Sequence, residues 1–568
     1  MSLGFSKIKG GYFMNSKKRA IISLLGISLG ILLSCGVIIY REHKLEQAKI
    51  DAAKYEELEE YDNAIAEYNK IILEEINNPE WYLRLSEIYA AKGNKEKSDA
   101  YIEKLKELED NEGYYTSRVI FMHFINGEEQ LALEEGQVAL EEYPENNKLK
   151  EIMILVYKSN NLDKKAEELI REYEVDRASA SDLAEYAKML LLIEEQEEAY
   201  ELLKEAWNID KDEFLIYDVI AQMAAYNKDK ILKDIVALYK QDFKDPIYRM
   251  WLAKIYSISE GTANTALDLI GKLEEEGVES KELDFIKLLS YQSIGEEEIA
   301  EKLCREITSK YDDYSTYHTI AWYYYNKGDY EKSLELCEKS IKANEEYADN
   351  YGFLMPQILS KLGEEEKIDT YFNKALLIEP YNHNIMISFA NYYYDMDNRK
   401  KAMDYFKVAS KMKPHDTEIK YTVAFIDLKN QEYDKAIEIL EECIELSKEN
   451  PIGKYYRTLS TIYMLQGDGD KAYKYIKEAY SIDEEDVLTL NNAGVYHISM
   501  SSNEDMTYNI ERAYTNLLKA FEGLNASYDE DVIETISNNF EMMKDLHYRY
   551  YNGEDNEILE IPEFILFY

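Results

Sequence analysis

Proline is scarce in this 568-residue chain, with eight residues, and so are cysteine, with four, and glycine, with 23. So few helix breakers and crosslinks leave room for long helical stretches and exclude disulfide-stapled and collagen-like chains. The seven histidines (His43, His123, His318, His383, His415, His497 and His547) are scattered, without H-E-x-x-H and without a cysteine at metal-ligand spacing. Also missing are the phosphate loop G-x-x-x-x-G-K-[ST], a G-x-G-x-x-G between strand and helix, and the nucleophile elbow G-x-S-x-G. No catalytic constellation is left to argue from. The expectation is a protein that is not an enzyme and holds no cofactor and no metal.

Positive charge is also short, with 66 Lys and Arg against 112 Asp and Glu, a net charge of -46. A surface that acidic repels phosphate backbones, so nucleic acid is excluded as the main partner. Hydrophobic residues make up 46% of the chain, enough for a folded core rather than a disordered tract.

The amino terminus breaks the acidic pattern. Residues 1–19 are read as a basic cytoplasmic segment ending in Lys17-Lys18-Arg19, with Met1 or Met14 as the start. Ala20 to Tyr40 follow, 21 residues without a charge, which as a helix span roughly 31 Å, about a bilayer's hydrocarbon thickness. One reading is an uncleaved signal anchor, a single transmembrane helix. The other is a lipoprotein signal, with Leu32-Leu33-Ser34-Cys35 as the processing site and Cys35 as the lipidated residue. The chain stays apolar beyond Cys35 and then meets Arg41 and Lys44, which favours the anchor. The basic cluster before the span puts the rest of the protein outside the cytoplasm, as a single-pass protein of the cell membrane; a cytoplasm-facing orientation is the alternative.

From Leu45 to about Asn525 a helical cassette recurs near every 34 residues, and His383–Asp416 displays it well. Met386, Phe389, Ala390 and Tyr393 fall on one face of a first helix; Ala402, Phe406 and Ala409 fall on one face of a second; Pro414 ends the unit. Neither helix is long enough to stand alone, so the unit needs copies to stack on. Three columns supply them. Tyrosines close the first helix at Tyr55, Tyr89, Tyr157, Tyr256, Tyr291, Tyr324, Tyr393, Tyr463 and Tyr496; glycines mark the turn at Gly93, Gly127, Gly295, Gly328, Gly363 and Gly467. A small residue recurs in the second helix at Ala64, Ser98, Ala132, Ala166, Ala199, Ala300, Ser333, Ala402, Ala436 and Ala472. There it lets two backbones approach closely.

These columns resemble the tetratricopeptide repeat family. Tyr456, Leu459-Ser460, Tyr463, Gly467, Ala472 and Ala479 follow its pattern in one cassette, and the His383–Asp416 residues follow it in another. About fourteen repeats are expected over residues 45–525, giving an all-α superhelical solenoid after a single transmembrane helix. The register is weakest over residues 214–245, where Asp234 stands in place of the small residue. The stretch 499–509 is expected to lengthen one turn. Residues 526–568 are read as a capping helix, built on Ile533, Ile536, Phe540, Met543 and Leu546, followed by an apolar tail that lies on the last helices or on a partner. Cys304 and Cys337 occupy equivalent places in successive second helices, about 8–10 Å or more apart and too far for a disulfide. With Cys443 they read as small buried residues.

The resemblance implies a non-catalytic protein-binding scaffold whose first helices line a groove for proteins or peptides. By position the groove residues are His318, Trp322, Tyr325, Ile387, Asn391, Tyr394 and Arg457. Aromatic rings offer contact area at low entropic cost, and an asparagine can bond a peptide backbone. Ile387 stands where family members that clamp a chaperone's carboxyl terminus carry Lys, so that ligand is not expected. The Lys, Glu, Ile, Asn and Tyr bias points to an AT-rich bacterial genome and to cell-envelope assembly or secretion. The alternatives are a cytoplasm-facing, membrane-recruited regulator and a carbohydrate-binding or processing protein that uses the aromatic groove on a cell-wall glycan.

Overall fold

Helices begin where a side-chain oxygen can receive the exposed N–H groups of a first turn, and this chain places such a residue before many of its cassette helices. Asn78, Asn94, Asp313, Asp329, Asn382, Asn398, Asp416, Asp468 and Asp486 each accept a backbone N–H two or three residues on. Each such cap is worth about 1 kcal/mol. At the other end, Gly127, Gly295, Gly328, Gly363 and Gly467 take φ between 74° and 82° in the turn. Asn161, Glu194, Asp397 and Gln431 adopt the same left-handed conformation in glycine-free copies of that turn.

The computed structural model describes residues 40–568, apart from 57–59, 93, 109–111, 260, 501–504 and 553–559. The basic amino terminus, the apolar span up to Val37, Ile38 and Ile39, Cys35 and Gly93 therefore lie outside the described residues. Among those described there is no strand, and no helix is long and apolar enough to cross a membrane.

The chain forms two compact units, Met1–Val156 with Arg171–Glu174 and Tyr157–Ile170 with Val175–Tyr568. In the first, hairpins such as Pro79–Ala91 with Lys95–Lys106 and Tyr114–Ile125 with Glu129–Glu142 follow one another. The small-residue column is fully buried in both units: Ala64, Ala132, Ala402, Ala436 and Ala472 have no exposed surface. Where serine replaces alanine its hydroxyl is satisfied by the facing helix, Ser98 donating to the Ser86 carbonyl at 2.9 Å and Ser333 to that of Ala321 at 2.8 Å. The tyrosine column gains a partner that the family pattern does not specify. Tyr89 stacks on Tyr101, Tyr393 on Tyr405 and Tyr463 on Tyr475, with ring centroids 5.6, 5.9 and 5.6 Å apart. Lys97, Lys401 and Lys471 cover the first ring of each pair at 4.8, 4.5 and 4.7 Å.

In the second unit the array comes round on itself. Lys411 donates to the Ser159 carbonyl at 2.5 Å, Lys413 to that of Leu191, and His415 Nδ1 lies 2.6 Å from Glu194 Oε1, across 252, 222 and 221 residues of chain. Two stretches singled out in the sequence fall in this unit. Residues 214–245 hold one unbroken helix, Phe214–Gln241, of 28 residues; nothing between Ala224 and Ile231 is a glycine or proline that would end it. The turn expected over 499–509 is shorter, because Met506–Glu522 begins at Met506 and is 17 residues long, against 14 for several other second helices. Asp505 caps it by accepting from Tyr508 N at 3.1 Å.

Buried in this unit are Cys304, Cys337 and Cys443, all as free thiols. Burial pushes the thiol of Cys443 up to about 12, so it remains protonated at neutral pH, as a small apolar side chain would behave.

Candidate functional site

Four successive first helices begin at His383, Thr417, Gly453 and Val487, and those of His383 and Gly453 carry groove candidates. Aligned on those starts, Ile387, Tyr421, Arg457 and Asn491 share one column, Ser388, Thr422, Thr458 and Asn492 the next, and Asn391, Phe425, Thr461 and Val495 a third. The capping helix Glu530–Asn552 follows, with Asn539 on its buried side.

An extended segment of the chain's own carboxyl-terminal part lies across these columns. Asn539 grips Ile565 at both polar atoms of its main chain: Nδ2 donates to the carbonyl at 2.8 Å, and the Ile565 N–H donates to Oδ1 at 3.1 Å. Asn492 does the same two residues on, with 2.6 Å to the Phe567 carbonyl and 2.9 Å from its N–H. Asn491 donates to the Ile565 carbonyl at 3.0 Å, and Thr461 to that of Phe567 at 2.6 Å. Arg457 Nε reaches the Tyr568 backbone oxygen at 3.2 Å, while its Nη1 pairs with Asp486. The two-residue period is that of an extended strand. The segment runs against the order of the repeats, from the Glu530 helix over those of Val487 and Gly453 to that of Thr417. There Phe425 meets the Tyr568 ring edge-on at 5.9 Å and Lys429 covers it at 4.9 Å.

Phe564 is buried in the core of the last repeats, with Leu566 and Tyr568 beside it, whereas Phe567 packs with Val487, Leu490, Ala520 and Ile536. Asn491, Asn492 and Asn539 have no exposed surface. Fully buried amides are costly unless bonded, and here the extended segment supplies partners.

Of the sequence-derived candidates, Arg457 touches this segment directly. Asn391 and Tyr394 lie on the same face one repeat beyond its reach, and both are exposed. The three candidates of the Tyr314–Lys327 helix are placed otherwise. His318 is buried, a correction to its expected place on an open groove. Its Nδ1 lies 2.8 Å from Asn350 Oδ1 and its Nε2 accepts from the Trp322 indole at 3.1 Å. Phe214 and Tyr347 close over the imidazole at 5.9 and 5.0 Å. Burial holds its pKa down at about 4. Tyr325 is half-buried, its ring against Trp322 and Tyr330 at 5.5 Å each. The physical reason is the long Phe214–Gln241 helix, whose first residue packs its ring against His318 and against Phe285 and Tyr314 as well.

Deeper in the same turn lies a cluster of buried charges that sequence reasoning missed. Lys188 reaches both oxygens of Glu379 at 3.1 Å, and Lys254 reaches Glu282 at 2.7 Å. Gln222 bridges Asp218 and Asp349, and burial pushes both carboxyls above their usual range. Among the described residues no group of His, Cys, Asp and Glu is arranged to hold a metal. The asparagine ladder was also missed, although Asn491-Asn492 in the apolar run Val487-Leu-Thr-Leu and Ala-Gly-Val was a signal for it: buried amides imply bonds to something that is not a helix neighbour.

The tetratricopeptide repeat family matches the chain at residues 80–112, 314–347 and 417–450. A tetratricopeptide protein of Cricetulus griseus, interferon-induced protein with tetratricopeptide repeats 2, is 26% identical over 195 residues, covering 32% of this chain and 40% of its own. Human superkiller complex protein 3 is 21% identical over 243 residues, covering 42% of this chain and 15% of its own. The chain thus spans well under two thirds of these relatives. Among solved structures, yeast Tom70 aligns with a TM-score of 0.35 and 13% identity over 84% of this chain and 96% of that one. The Cut9–Hcn1 complex aligns with a TM-score of 0.34 and 12% identity over 88% and 96%. On its three matched stretches this chain carries tetratricopeptide repeats, and its described residues form an all-α array of helical hairpins.

Proposed function

We propose that this chain is a membrane-tethered, non-catalytic protein-binding scaffold of the bacterial cell envelope, with its repeat array outside the cytoplasm. It binds peptide segments along its first helices. The apolar Ala20–Tyr40 stretch behind Lys17-Lys18-Arg19 supports the tether and the orientation. The observation that carries the binding reading is the paired grip of Asn492 and Asn539 on main-chain groups of an extended segment. A surface that reads peptide backbone accepts a strand whatever its sequence and leaves the pockets between to choose side chains.

A photo-crosslinking side chain at the Tyr394 position, in intact cells, tests this. The expected result is protein adducts at Tyr394 that are absent with the same side chain at an exposed second-helix site such as Glu438. External protease should also remove residues 45–568 without breaking the membrane. Absence of Tyr394 adducts overturns the binding face; protection of the array until the membrane is broken overturns the orientation.

A further inference from the structure

The groove from Arg457 to Asn539 is already filled, and how it is filled says what it takes. Every hydrogen bond named above between the groove and Phe564–Tyr568 goes to the segment's main chain. None requires these particular side chains. What the side chains contribute is apolar contact on alternating sides, with Phe564, Leu566 and Tyr568 on one cluster and Phe567 on another. Ile565 is 54% exposed and uses no pocket. The segment also covers only part of the available face. It reaches Phe425 and Lys429, while the next first helix back still presents Asn391 and Tyr394.

We propose that Phe564–Tyr568 is a competitor in cis for a partner of the same chemistry: an extended, uncharged, aliphatic and aromatic segment of another protein. That segment would run against the repeat order, use Asn539, Asn492 and Arg457 in turn, and continue past Phe425 toward Asn391. This rests on the peptide-scaffold reading above and specifies its ligand and regulation. The chain's own segment is tethered, so its effective concentration is of millimolar order. A partner in trans gains access by being longer, through contacts at Asn391 and Tyr394 that the internal segment lacks, or by being locally concentrated at the same membrane.

The test uses the full chain in detergent and a fluorescein-labelled peptide of the sequence Glu-Ile-Pro-Glu-Phe-Ile-Leu-Phe-Tyr. Fluorescence anisotropy compares the unmodified chain with the Phe564→Asp/Phe567→Asp chain, in which the segment is disfavoured in the groove. The expected result is at least tenfold tighter binding to the substituted chain, and at least a tenfold loss on adding Asn492→Ala and Asn539→Ala. Equal binding to both chains overturns the competition. So does a substituted chain that loses its helical circular dichroism or melts far below the unmodified one, since the segment is then a structural cap. Absence of saturable binding to a well-folded substituted chain overturns the ligand class. A concentration-dependent dimer abolished by Phe564→Asp/Phe567→Asp assigns the segment to a second copy's groove and overturns the cis arrangement. Crosslinks at Tyr394 judge the scaffold reading separately: adducts there without peptide binding sink this inference alone.

Discussion

Lys188 and Glu379 stand 191 residues apart in the chain, yet the ammonium lies 3.1 Å from both carboxylate oxygens, with both side chains less than a tenth exposed. The contact ties the Ala180–Leu190 helix to the residue that follows Ile368–Ile378, and so holds the turn of the second unit closed. Removing one member of a buried pair leaves the other charge without compensation, which costs about 3–5 kcal/mol. Lys188→Met is expected to destabilise the chain by about that amount in urea denaturation followed by circular dichroism. Adding Glu379→Gln should recover part of the loss. Asp218 and Asp349 also face Lys188, so recovery should stay incomplete. Full stability in the single variant would show that the pair does not hold the turn.

Gly494 lies two residues after Asn492, where the Val487–Ser499 helix crosses Met506–Glu522. A Cβ there would meet Leu517 Cγ at 2.6 Å and the Ala513 carbonyl oxygen at 3.1 Å. Leu517 is fully buried and has little room to turn away. Gly494→Ala is expected to cost about 1–3 kcal/mol by overpacking, although alanine is the better helix former. Tilting this helix also shifts Asn492, so hydrogen exchange at the Phe567 amide should accelerate. A variant as stable as the parent would mean that the two helices can separate freely.

The fold was legible in the sequence because it repeats. Ala402, Gly467 and Tyr463 are informative through their copies, and stacking demands the same small residue, left-handed turn and aromatic filler each time. The Tyr393 and Phe406 side chains are indeed committed to the core, with 6% and 3% exposure, while Tyr394 on the free face is 37% exposed. What failed to show were contacts between residues distant in the chain. His318 carries the pattern of a groove residue, and Phe214, about a hundred residues earlier, closes over it together with Tyr347. The asparagines of the groove left only a local trace, the amide pair Asn491-Asn492 in an apolar run: their partner is the carboxyl-terminal segment, and no periodicity links the two.

Gln431 turns the Thr417–Lys429 hairpin with φ 63°, where other copies of the turn use glycine at φ near 80°. A side chain in that region costs about 1–2 kcal/mol, partly offset because glycine has more conformational freedom to lose on folding. Gln431→Gly is therefore expected to stabilise the chain by up to about 1 kcal/mol, read as a higher urea midpoint. The reverse change, Gly328→Ala at φ 82°, has open space for its Cβ and should destabilise by a similar amount through backbone strain alone. If both substitutions move stability in the same direction, the shared turn geometry is not the cause.

His318 gives the second unit an acid sensitivity whose sign follows from burial. Its ordinary pKa is 6.5, and burial lowers it to about 4, opposed by the bond to Asn350 and reinforced by Lys254. Between these values the unfolded chain binds a proton that the folded chain refuses, so folding weakens as pH falls through that window. The contribution is complete above pH 6.5, and about 2 kcal/mol of it is lost by pH 5. Buried carboxyls act oppositely: Glu282, Asp218 and Asp349 have raised values, so their protonation at falling pH favours the folded state. His497, also lowered to about 4, adds to the His318 effect. The histidine term is isolated by comparing the parent with His318→Gln, in which the other groups cancel. The parent should lose about 2 kcal/mol more than His318→Gln between pH 7 and pH 5 in urea midpoints. Parallel pH profiles would mean that protonated His318 is accommodated, with the Phe214 and Tyr347 rings moving aside to let water in.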